Sequence, residues 1–97
     1  MTSKRKKEIA DEARKRANLW LENVPFNKMT HDGSLLVFNM ALGLVGCPFS
    51  PPPSWMNISD FSVFVSQKEY DSREYDEIII DLFDEHYNRY YASGYFL

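Results

Sequence analysis

Ile9, Ala13, Ala17 or Trp20, and Val24 recur at three- and four-residue steps, with charged side chains filling most positions between them. That spacing gathers the apolar residues on one helical face and predicts a basic amphipathic helix over 4–22. Ser3 is available as its N-cap. Pro25 stops it, because proline lacks the amide hydrogen the next turn needs and pushes Val24 out of helical backbone. After a polar turn over 27–33, with Asp32 or Ser34 as cap, the stretch 34–45 is apolar on nearly every side, interrupted by Asn39 and Gly43. Its Met, Ala and Leu content favours a helix buried all round over a strand, with Gly46 as a left-handed C-cap.

The next segment, 47–55, reads CPFSPPPSW and holds four prolines. Pro51, Pro52 and Pro53 predict a stiff polyproline stretch that loses little entropy when bound, with Phe49 and Trp55 as flanking aromatic anchors. A passive spacer is the alternative. Pro48, Pro51, Pro52 and Pro53 are also candidates for a cis peptide bond, which would make a host prolyl isomerase a partner of this chain. Residues 58–66 fit either an edge strand or a helical face of Ile58, Phe61, Phe64 and Val65; the helical neighbourhood favours a short helix.

The last stretch has the cleanest period. Tyr75, Ile78, Ile79, Leu82, Phe83, His86, Tyr87 and Tyr90 form one stripe, acids and Asn88 lie off it, and Asp71 with Glu74 resembles a capping pair. This predicts an acidic amphipathic helix over 72–92, ended by Gly94. Tyr95, Phe96 and Leu97 follow as an apolar tail that packs back or docks elsewhere. The expected fold is therefore mainly α: a small single domain, 1–97, of three to four helices with a proline-rich connecting loop.

Charge is unevenly spread. The net value is −3, yet residues 1–16 carry seven basic side chains against three acids, and residues 69–86 carry eight acids against Arg73 alone. Lys4, Arg5, Lys6 and Lys7 stand at a helix start, where the dipole prefers anions, so this end should fray or be held by something acidic, unless the cluster is simply a solvated helix face. That acid can belong to a protein partner. Clustered cations also suit nucleic-acid phosphate, but the acidic remainder of the chain repels a duplex. Conversely, the acidic helix could imitate DNA, although a single row of acids is more simply a solvated face.

Catalytic chemistry finds no footing. His31 and His86 lack metal-ligand spacing, and His86 falls on the core-facing stripe, which predicts a packing role. Cys47 precedes a proline, with no basic neighbour to make it a nucleophile. The single cysteine excludes an internal disulfide framework. No apolar run reaches the ~20 residues of a membrane span, and MTSKRKK has no apolar stretch behind it, so the expected location is cytoplasmic. No catalytic residue, metal, cofactor, small-molecule ligand or membrane contact is expected.

Taken together, MTSKRKKEIADEARKRANLWLENVPF, the SPPPSW loop and the DEHYNRYYASGYFL end resemble the anti-RecBCD proteins of lambdoid phages. The resemblance runs over the full length, in the order of segments. It implies a phage protein in the host cytoplasm that binds the RecBCD helicase–nuclease at its RecC subunit. Such a protein modulates the enzyme without chemistry of its own, protects linear phage DNA and promotes phage recombination; DNA would be met only through the enzyme complex. The resemblance carries no residue motif, so the contact residues are chosen on physical grounds: Lys4 to Lys7, Phe49, Pro51, Pro52, Pro53, Trp55 and Tyr95 to Leu97. Two other classes suit the same features. One is an immunity or antitoxin protein that neutralises a toxin; the other is a small nucleic-acid-binding regulator that uses the basic N-terminal helix.

Overall fold

A computed structural model describes residues 1–23, 31–47 and 50–92. Four helices and one 3₁₀ turn appear in chain order: α1 (Ser3–Asn23), α2 (His31–Ala41), the 3₁₀ turn Ile58–Phe61, a single-turn α3 (Gln67–Tyr70) and α4 (Arg73–Ala92). The chain is a small, mainly helical single domain, with no strand among the described residues.

Helix α1 forms where its period predicts. Ile9, Ala13, Ala17, Trp20 and Leu21 are buried on one face. The cap lies one residue earlier than Ser3: Thr2 Oγ1 accepts the amide of Arg5 at 3.1 Å. Arg16 stands inside this apolar face, only 1% exposed. Its guanidinium donates to Glu12 Oε1 at 3.3 Å and to the Ser62 carbonyl, and lies 5.8 Å from the Phe61 ring centre. A cation in this position ties α1 to the loop after the 3₁₀ turn. Pro25 and the end of the stripe at Val24 lie outside the described residues.

Helix α2 is shorter than its apolar run and starts earlier. It ends at Ala41, and Asp32 and Ser34 both fall within it instead of capping it. Leu44 adopts a left-handed backbone with φ 59, while buried. Bulky residues rarely do so, and the conformation is held because the Leu44 carbonyl accepts the amides of both Phe64 and Val65. Gly46 sits at φ 139, a region open to glycine, but past the turn instead of capping the helix. Nor is α2 buried all round: Phe38 and Ala41, with Leu42 just past the helix end, enter the core, while Leu36 and Met40 are 64% and 52% exposed.

Residues 58–61 form the 3₁₀ turn, and 62–66 belong to no helix or strand. Phe61 and Val65 are buried, whereas Ile58 and Val63 point outward. The single-turn α3 has a capping box: Ser66 Oγ accepts the Glu69 amide at 3.2 Å, and Glu69 Oε1 accepts the Ser66 amide at 3.0 Å. Asp71 ends α3 and does not cap α4. Ser72 caps α4, its Oγ accepting the Tyr75 amide at 3.2 Å.

Along α4, Tyr75, Ile79, Leu82, Phe83 and His86 are buried and Ile78 and Tyr87 half-buried, as the stripe predicts; the Tyr90 side chain and Gly94 lie outside the described set. The Tyr75 hydroxyl donates to the Leu42 carbonyl at 3.1 Å, and burial raises its phenol well above the ordinary range. Phe38 meets Phe83 edge-on at 5.4 Å between ring centres, and His86 at 5.9 Å. His86 Nδ1 lies 3.0 Å from the Leu82 carbonyl, so this histidine packs in the core. These pairs run α2 antiparallel to α4. Lys6 with Glu74 and Arg14 with Glu85 run α1 parallel to it.

Candidate functional site

Parallel packing of α1 and α4 brings two positive helix ends together, beside a cluster of cations. Left alone, that arrangement is unfavourable. Two acids offset it. Glu69 receives Arg5 at two points, Nε to Oε2 at 2.6 Å and Nη2 to Oε1 at 3.0 Å, while the same Nη2 donates to the Phe64 carbonyl at 2.8 Å. The Arg5 guanidinium also lies 4.9 Å from the Phe64 ring centre. Glu74, in the first turn of α4, meets the N-terminal ammonium at 3.2 Å and Lys6 Nζ at 3.3 Å. Arg5, and then the Ser66 amide, hold the Glu69 carboxyl down to about 2. Hydrogen bonds from the N-terminal ammonium and Lys6 lower Glu74 too.

The acidic holder expected for the basic head is therefore the chain's own α3 and α4. Arg5 and Lys6 are engaged inside the molecule. Lys4 and Lys7 are exposed, and neither forms an ion pair among the described residues. On the outer face of α1 they alternate with Glu8, Asp11, Lys15 and Glu22, a mixed-sign surface. A cleft of about 400 Å³ lies beside Arg5 and Glu69, but its charged walls are largely paired with one another.

The proline loop is clamped to the core at its far end. Trp55 is half-buried, edge-on to Trp20 at 5.9 Å and to Phe61 at 6.3 Å. It therefore anchors this chain's own core. Pro51 and Pro52 are exposed and Pro53 half-exposed, and the Ser50–Pro51 bond is cis. Cys47 donates to Met56 Sδ at 3.2 Å. Pro48, Phe49, Tyr95, Phe96 and Leu97 lie outside the described residues.

A surface that the periodicity concealed lies between α2 and α4. Leu35, Asn39, Asp76, Ile79 and Ile80 line a groove of about 240 Å³ there. Leu36 and Met40, one turn apart, stand exposed on α2, and Ile80 is 47% exposed on α4. Asn39 Oδ1 is closed off from water and has no hydrogen-bond partner among the described residues. The signal was present in 34–45: an apolar run that continues all round a helix has more apolar side chains than a small domain can enclose. No group of three His, Cys, Asp or Glu placed to hold a metal occurs among the described residues, and no helix among them is long and apolar enough to cross a membrane.

No family model, no curated protein and no solved structure matches the chain.

Proposed function

We propose that this chain is a non-catalytic docking protein that binds the host RecBCD helicase–nuclease at its RecC subunit and modulates it, sparing linear phage DNA. The class of action draws its support from one observation: Arg5 and Lys6, half of the basic cluster 4–7, are turned inward onto Glu69 and Glu74, while apolar side chains on α2 and α4 are left outward. Cations already committed to acids have fewer counterions to release from a duplex, which weakens a direct DNA-binding reading. Exposed apolar side chains beside a groove instead suit contact with protein. The identity of the partner is supported by the full-length resemblance to anti-RecBCD proteins. The chain acts by occlusion or redirection of the enzyme, and DNA is reached through that enzyme. The test is RecBCD nuclease and Chi-dependent activity on linear duplex, with and without this chain; unchanged activity in both would remove the reading.

A further inference from the structure

The α2–α4 groove combines apolar walls with two groups that accept hydrogen bonds. Leu35, Ile79 and Ile80 line it, and Leu36 and Met40 extend its apolar character onto the outer face of α2. Asn39 carries a side-chain oxygen that is desolvated and unpaired, a costly state for a polar atom that an incoming donor would relieve after a small rotation. Asp76 is exposed and enters no ion pair among the described residues. No cation among the described residues lines the groove. Its chemistry therefore matches a positive charge carried on an apolar stem, the character of a Lys or Arg side chain, flanked by aliphatic residues.

We propose that this groove is the docking site for an amphipathic helix of the partner protein, one that presents Lys or Arg beside an aliphatic stripe. The aliphatic residues cover Leu36, Met40 and Ile80, and the cation enters between Asn39 and Asp76. Charge decides against a second copy of this chain as occupant. A two-fold contact through the same face would bring the Asp76 carboxylates of both copies into one apolar interface, where like charges are destabilising. The proposal rests on the reading that the chain works by docking on protein, and it adds the surface used and the kind of element that fills it.

The test is fluorescence anisotropy with a labelled synthetic helical peptide that has one Leu face and one Lys face, and with its Leu/Glu counterpart. Each is titrated with the wild-type chain, Asp76→Lys, Ile80→Asp and Leu36→Asp, with folding checked by circular dichroism. Asp81→Lys is the control: it makes the same charge change on α4, but at a position facing α1. The expected result is binding of the Leu/Lys peptide alone, weakened about tenfold or more by each groove variant and less than about threefold by Asp81→Lys. No binding of the Leu/Lys peptide, or equal weakening by Asp81→Lys, overturns the groove. Co-elution of the wild-type chain with RecBCD is measured separately. Its absence removes that partner, while the peptide series decides the groove on its own.

Discussion

Arg5 and Glu69, 64 residues apart in sequence, form a two-point ion pair that closes the start of α1 onto the capping box of α3. The carboxylate does two jobs, receiving the guanidinium and the Ser66 amide at once. Its pH dependence follows. A carboxyl with an ordinary value near 4.5 that folding holds down to about 2 contributes stability that is fully present above the higher value and disappears as pH falls through the lower one. Thermal unfolding of the wild type should therefore lose ground as the pH falls from 4.5 towards 2. Glu69→Gln should start lower and decline less steeply over that window. Equal slopes in the two proteins would contradict the role given to this pair.

Arg16 makes the comparable link from the middle of α1, but in a buried setting. Arg16→Met keeps the apolar stem and removes both the charge and the donor to the Ser62 carbonyl. Because Glu12 retains some exposure, the expected loss is moderated to about 2–3 kcal/mol in urea unfolding. Arg16→Lys should not recover it, since an ammonium cannot serve Glu12 and Ser62 with the geometry of a guanidinium fork. A loss below about 0.5 kcal/mol for Arg16→Met would mean that the link is dispensable.

Trp55 and Pro52 should separate the two jobs of the proline loop. Trp55 contacts Trp20 and Phe61, so Trp55→Ala should cost about 2–3 kcal/mol, less than a fully buried aromatic would. Pro52 is exposed, and Pro52→Ala should stay within about 0.5 kcal/mol of the wild type. Urea midpoints at constant slope provide the check. The reverse order would place the loop's structural work on its prolines and not on its tryptophan.

Gly46 offers a test of backbone alone. No atom of the described residues lies within 4 Å of where an alanine Cβ would stand, yet its φ is 139. Gly46→Ala should cost about 1–2 kcal/mol through conformation and not through a clash. An unchanged unfolding midpoint would show that the turn can relax.

Where an element's own period decided its fate, the sequence was readable: α1 and α4 stand close to their expected bounds, and among the described residues their buried faces follow the predicted stripes, with Arg16 and Leu21 added on α1. What the period could not reveal was pairing across the chain. Lys4 to Lys7 read as an invitation to an outside acid, because nothing local says that Glu69 and Glu74 fold onto the same spot. Ser72 caps α4 in place of Asp71 because Asp71 already ends α3, a single turn too short to have a period of its own. The apolar run over 34–45 suggested complete burial, since composition does not record how many neighbours a helix will have. With neighbours on only part of its surface, α2 leaves Leu36 and Met40 outside.

The most direct measurement of the central claim is a pair of sizing-column runs at physiological salt, one with purified RecBCD and one with duplex DNA alone. With Arg5 and Lys6 paired internally and only Lys4 and Lys7 of the head left outward, the proposed docking role predicts that the chain co-elutes with the enzyme and leaves the DNA alone. Co-elution with DNA alone, or with neither, would contradict it.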